Sequence, residues 1–305
     1  MRKGAAAPIV VLVAVLMSAL LIRAQTVPSK KSGAASDQKT PPAPALLDGW
    51  GRPVAEMPKG QKPGPAPRHD ISGIWEPANG PGDGIMSFGP KDMPSDGKPE
   101  HNLPFTPLGL KTYQAHKPLE GEGRVLESLS NDPRNKCDPL GFPRADFYQI
   151  RHEQIFQNER QVAILYEFEK RWRTIWMDGR ELPKEIPEPR WYGYSVGKWV
   201  DDTTLVVQTI GTMGSERVWL DEAGRPISDA ARVEERFHRV DHDHLEWSVT
   251  IADPKMYAKP WVAMNKFPMQ LQSPDYDVVE MMCIPSEMEQ YNKDYGDAAS
   301  GVDGK

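Results

Sequence analysis

Trp191-Tyr192-Gly193-Tyr194-Ser195-Val196-Gly197-Lys198-Trp199 runs through Val200 and the polar break Asp201-Asp202 into Thr203 to Thr209. β-Branched and aromatic residues dominate both runs, and the break between them is short. This is the composition of two strands joined by a tight turn. The same pattern extends outward in both directions. Upstream stand Glu153 to Gln157, Gln161 to Glu167 after the turn Asn158-Glu159-Arg160, and Arg171 to Met177. Downstream stand Val233 to Val240, Leu245 to Ala252 after Asp241-His242-Asp243-His244, then Pro260 to Leu271 and Asp277 to Cys283. The Pro-rich run Leu182 to Pro189 is a connection, because proline cannot donate to a strand ladder.

Eight to ten sequential strands with mostly short breaks predict a mainly β fold, an antiparallel meander that closes into a barrel and leaves no free edge. A barrel of that size can hold one small ligand. Thr106-Pro107 marks the start of a short helix before the barrel strands, by the cap-then-proline rule. Ser286-Glu287-Met288-Glu289 has the form of a capping box opening a C-terminal helix to about residue 295.

The ends of the chain are of other kinds. Arg2 and Lys3 precede the apolar run Ile9 to Ile22, and Ala24 offers a small residue for cleavage, so residues 1–24 read as a signal peptide. The apolar run is about 14 residues, short of the roughly 20 that span a bilayer. Residues 25–68 are rich in Pro, Gly, Ala, Ser and Lys, as in Pro41-Pro42-Ala43-Pro44, and read as a disordered tether. One barrel-like domain over 69–296 and a flexible tail over 297–305 complete the expected organisation. The mature chain is expected in the periplasm or outside the cell, with no membrane span after cleavage. Its oligomeric state is not legible.

Cleavage removes Arg2, Lys3 and Arg23 and moves the formal net charge from −6 to −9. An acidic chain without a basic patch is a poor partner for a phosphate backbone, so nucleic acid is not expected. The two cysteines, Cys137 and Cys283, lie far apart and lack the spacing of a metal or haem motif. In an oxidising compartment they are expected to form a disulfide.

Asp70-Ile71-Ser72-Gly73-Ile74-Trp75 carries a Gly-x-Trp at the first expected strand, and this resembles the start of lipocalin-like (calycin) barrels. In those barrels the tryptophan closes the floor. Four further segments look like those of a group of secreted bacterial hypothetical proteins of uncharacterised function. They are Cys137 to Pro143, Trp172 to Trp176, Asp178 to Pro183 and Tyr194 to Trp199. The resemblance spans about 70 to 290 and implies secretion and a lipocalin-like fold, with no activity attached to it.

Alternation places Val162, Ile164, Tyr166 and Phe168 on one face, and assigns Trp172, Thr174 and Trp176 of the next strand to it. Ala163, Leu165, Glu167, Arg171, Arg173, Ile175 and Met177 take the other. An inward aromatic face would make a cavity lined by Tyr166, Trp172, Trp176, Trp191, Tyr194 and Trp199. Arg171 or Arg173 could then clamp the acidic end of a small, largely apolar ligand. The expected function is small-molecule binding, with no cofactor. Two alternatives stand beside it: a secreted hydrolase or isomerase using Asp178, Arg180 or a histidine at the mouth, and an envelope interaction module. His242 and His244 could start a zinc site only with a third ligand such as His238 or a carboxylate, but they sit between two strands where Asp and His are common turn residues, so no metal site is expected. Ser195 lies in Gly-x-Ser-x-Gly, but with strand-like residues continuing to Trp199 it is not a nucleophile elbow.

Overall fold

The computed structural model describes residues 62–296, all within the unit Pro44–Lys305. The expected signal peptide, most of the expected tether and the expected tail lie outside the described residues. Nine strands close into a barrel in sequence order. They are β1 (Gly73–Pro77), β2 (Glu153–Gln157), β3 (Gln161–Tyr166), β4 (Arg171–Trp176) and β5 (Tyr194–Trp199), then β6 (Thr204–Ile210), β7 (Arg232–Arg239), β8 (His244–Ala252) and β9 (Trp261–Leu271). This mixed, closed barrel is consistent with the lipocalin-like expectation.

One seam departs from a pure meander. β4 and β5 pair in parallel, with Ile175 opposite Ser195 and Trp176 opposite Val196. Parallel neighbours need a connection that returns the chain to the starting end. The Pro-rich run between them does that, crossing the length of the barrel rather than turning tightly. The expected strand Asp277 to Cys283 is also absent. Only an isolated bridge joins Phe168 to Met281 there.

The two barrel ends differ. At the floor the strands join through tight turns at 158–160, 200–203 and 240–243. At the mouth lie the long connections 78–152 and 211–231, with 253–260 beside them. Trp75 closes the floor. It is wholly buried, its indole Nε1 donates to the Ile71 carbonyl at 2.9 Å, and the Arg239 guanidinium lies 4.8 Å above the ring. Arg239 in turn donates to the carbonyls of Asp70, Ser72 and His242, which fixes the incoming chain across the floor. The glycine two residues before the tryptophan has a specific cause. Gly73 sits at φ +139°, and a Cβ there would stand 2.4 Å from Leu271 Cδ1.

A segment of the long β1–β2 connection plugs the mouth. It contains α2 (Arg144–Phe147), and Leu140, Phe142, Phe147 and Ile150 are buried beneath it. Arg144 is itself buried and donates twice to Asp132, at 2.8 and 2.6 Å, and once to Glu222 at 2.7 Å. Burial pushes the Asp132 carboxyl up, but the Arg144 guanidinium outweighs it and holds the group below the usual range. A Cys137–Cys283 disulfide ties the start of this segment to the C-terminal region, as the sequence suggests.

The short helices follow local rules, with one exception. α1 (Pro107–Ala115) opens on Thr106, whose side chain accepts from Gly109 N–H at 3.0 Å. α3 (Pro285–Tyr291) starts one residue before the expected box and runs into a π-helical turn over Asn292–Gly296. Ile284 occupies its cap position without a side-chain bond. Pro285 sets the start through its fixed φ, so Ser286 falls inside the helix and cannot cap it.

The disulfide spans 146 residues. In the chain-entropy model such a closure stabilises the fold by about 5 kcal/mol. Thermal unfolding with and without reductant is expected to show a clearly lower midpoint for the reduced protein, and the Cys137→Ala/Cys283→Ala variant should match it. An unchanged midpoint would remove the disulfide from the account.

Candidate functional site

The inward positions of β7 and β8 are read directly from alternation. Val233, Glu235, Phe237 and Arg239 are buried while their neighbours are not, and β8 repeats this with Leu245, Trp247, Val249 and Ile251. On β3 and β4 the alternation also holds, but the two strands combine in the opposite phase to the sequence reading. Val162 faces Ile175, Ile164 faces Arg173 and Leu165 faces Trp172. The interior set is therefore Val162, Ile164 and Tyr166 with Arg173 and Ile175. Trp172, Thr174 and Trp176 join Ala163 and Leu165 on the outer wall. The connection 167–170 causes the reversal. Glu169 and Lys170 take left-handed conformations, at φ +65° and +48°, and this turn pairs even positions with odd ones.

Arg173 is the centre of the interior. Its Nε donates to Ser195 Oγ at 3.3 Å. Nη1 donates to Glu235 Oε1 at 2.9 Å and to the Tyr166 hydroxyl at 3.4 Å. Nη2 donates to Thr209 Oγ1 at 2.9 Å and to the second Glu235 oxygen. A guanidinium has five N–H donors, and all five are engaged. The Phe142 ring of the plug covers the group, 3.9 Å from Cζ. Ser195, near the start of β5, also shares a 2.8 Å hydrogen bond with Thr209 on β6, which ties it into the network.

Two further carboxyl groups surround this pair. Asp146 Oδ1 accepts from the Tyr166 hydroxyl at 3.0 Å, while its Oδ2 and Glu153 Oε1 are buried without a partner. Burial, with the Glu235 charge nearby, raises Asp146 well above the usual carboxylate range, against the pull of Arg173. The same causes push Glu153 up to about 8. Burial thus disfavours the charged form of both acids beside the Arg173–Glu235 ion pair. Sequence reasoning missed Asp146 and Glu235, and set Glu153 aside as the acid/base partner of His152 because adjacent strand residues point to opposite faces. Glu235 was open to discovery, since it shares parity with Val233 and Phe237.

A second cluster lies at the rim. His152 Nδ1 sits 2.9 Å from Glu167 Oε2, and Nε2 makes a 3.1 Å ion-pair contact with Glu76 that is not aligned as a hydrogen bond. The Tyr276 ring stacks on the imidazole at 4.0 Å. Burial pulls His152 down, but Glu167 and Glu76 outweigh it and hold the group above its ordinary value. His152 and Glu153, neighbours in sequence, thus serve different clusters.

The remaining expected site residues are dispersed. Of the eight, only Tyr166 and Arg173 meet in the interior. Arg171 and Trp172 are exposed, and Trp172 packs at 5.7 Å against Phe156 on the outer wall. Trp191 lies beside the plug, where its carbonyl accepts from Phe142 N–H and Arg217 covers its ring at 4.8 Å. Tyr194 points outward, and its hydroxyl accepts from Arg180 at 3.0 Å. Arg180 also pairs with Asp178 and stacks 3.8 Å from the Trp176 ring. His244 bonds to Asp241 and His242 to Asp243, within the turn.

Two open clefts flank the β2–β3 turn at the floor end. The first, of about 650 Å³, is bounded by Asn158, Glu159, Arg160, Gln161 and Trp176. The second, of about 470 Å³, shares Asn158 and Glu159 and is walled by Trp199, Met177 and His69. His69 stacks on Trp199 at 5.0 Å. Both volumes lie within the range of about 300–1,000 Å³ usual for small-molecule sites. No family model, curated protein or solved structure matches the chain.

The buried acids set the pH dependence. Glu153 keeps its proton in the fold to about 8, whereas the unfolded chain releases it near 4.5. The folded state holds the extra proton between those values, so stability falls as pH rises through that window. His152 acts in the same direction. Its contribution is complete below 6.5 and is lost as pH rises through its folded value. Urea unfolding is expected to give higher stability at pH 5.5 than at pH 8, and Glu153→Gln should flatten the profile. A variant with an unchanged profile would sink the assignment.

Proposed function

We propose that the chain is a secreted or periplasmic small-molecule-binding barrel of the bacterial group its motifs resemble, and that it binds at the floor-end clefts. The carrying observation is the pair of tryptophans that wall these clefts. Trp176 is held by Arg180 and Trp199 by His69, so each indole is fixed on one side before any ligand arrives. Pre-set aromatic rings lose little entropy on binding. Among the described residues the interior, by contrast, offers a fully engaged Arg173 beneath the plug that fills the mouth.

The ligand that suits these walls has a flat apolar face and hydrogen-bonding edges. Asn158, Glu159 and Gln161 supply polar partners beside Trp176. An acidic group on the ligand would meet Arg160, whose side chain is 77% exposed and only 4.0 Å from Asp178. Secretion is supported by the apolar N-terminal run and by the disulfide, which persists in oxidising compartments. Among the described residues no helix is long and apolar enough to cross a membrane.

Ligand-observed NMR against a mixed library of small apolar, aromatic and hydroxyl-rich molecules tests the reading. Wild-type protein should give saturable signals that Trp176→Ala removes, with little change in melting temperature because the ring lies on the outer wall. Trp172→Ala, outside both clefts, should leave the signals intact. Signals that survive Trp176→Ala undiminished would place binding elsewhere.

A further inference from the structure

We infer that the occupant of these clefts is a saccharide chain lying across the β2–β3 turn, a reading that rests on the binding function proposed above. Three features of the surface lead there. The first is the mismatch between walls and rim. Apart from Trp176, the first cleft is bounded by Asn158, Glu159, Arg160 and Gln161, all polar. A wholly apolar ligand would strip water from these groups and return no hydrogen bonds, which is unfavourable. A pyranose presents C–H groups on one face and hydroxyls around its edge. It can stack on an indole and satisfy the rim at once.

The second feature is spare hydrogen-bonding capacity. Asn158 Oδ1 already accepts from the Arg160 and Gln161 N–H groups, at 2.8 and 3.0 Å, which holds the turn rigid. Its amide nitrogen stays unused, and Gln161 and Glu159 make no side-chain bond among the described residues. Donors and acceptors therefore alternate beside the ring, as hydroxyls, which both donate and accept, require. On the far side Gln157 is already engaged at both ends of its amide, accepting from Ile71 N–H and donating to the His69 carbonyl. Ring stacking on Trp199 is what the second cleft adds.

The third feature is layout. Both clefts are open and share Asn158 and Glu159 as their common wall. A single sugar fills one of them, whereas a chain crossing the turn reaches Trp176 on one side and Trp199 on the other. Affinity is then built from two stacking contacts on one molecule, and it should rise with chain length until both are covered.

The test is tryptophan fluorescence titration of the full chain with soluble gluco-, xylo-, manno- and chito-oligosaccharide ladders of one to six units. An apolar fluorescent dye is titrated in parallel. At least one ladder is expected to shift the emission saturably, with affinity rising along the series. Trp176→Ala and Gln161→Ala should each weaken it at least tenfold, while Trp172→Ala leaves it unchanged. Dye binding that depends on Trp176, with no response to any ladder, would overturn the saccharide reading and leave the binding function standing. Neither dye nor sugar responding through Trp176 would overturn both.

Discussion

One buried guanidinium connects five strands. Arg173 stands on β4 and reaches Tyr166 on β3, Ser195 on β5, Thr209 on β6 and Glu235 on β7. A buried ion pair gains little over apolar packing when complete, and costs about 3–5 kcal/mol when one partner is removed. Its value here is geometric. The β4–β5 seam has only two register pairs and is parallel, so it is the weakest join in the wall. The Arg173–Ser195–Thr209 chain crosses that seam from inside and binds β4 to both strands beyond it.

The rest of the mouth end is arranged around this group. Phe142 covers it, and Phe142 can be there because Gly141 turns at φ +72°, where a Cβ would collide with Val218 at 2.6 Å. Arg144 and the disulfide then hold the covering segment at both of its ends. Two buried acids, Asp146 and Glu153, complete the enclosure, and burial raises both above the usual carboxylate range. The polar interior thereby belongs to the fold. Trp176 and Trp199, on the outer wall and at the floor, keep solvent access.

Much of the barrel was legible in the sequence, and the reasons are local. The runs at β5–β6 and β7–β8 alternate cleanly and are separated by short polar turns, so strands, turns and hairpins follow from period-two patterning. Gly73 and Trp75 pointed to the floor through the Gly-x-Trp resemblance alone, and the structure supplies the reason, since Gly73 takes φ +139° and Trp75 is wholly buried. What escaped depended on the number of residues in a connection. Four residues between Tyr166 and Arg171 reverse the phase of β4 relative to β3, and that moved Trp172 and Trp176 from the expected cavity to the outside. The Pro-rich run was correctly excluded as a strand. Its length alone could not say whether it turned back or crossed over, and so the parallel seam stayed hidden. Glu235 lay among apolar inward residues, where charge is expected only with a partner, and that partner sits 62 residues away.

The central claim is that Arg173 and Glu235 hold the barrel together and take no part in binding. A double-mutant cycle on stability, with binding at Trp176 recorded for each protein, tests it most directly. Arg173→Met and Glu235→Leu should each lose about 3–5 kcal/mol, because either leaves a buried charge alone. The double variant should recover most of that loss and still bind as the wild type does. Single variants with native stability, or a stable double variant that no longer binds, would contradict the account.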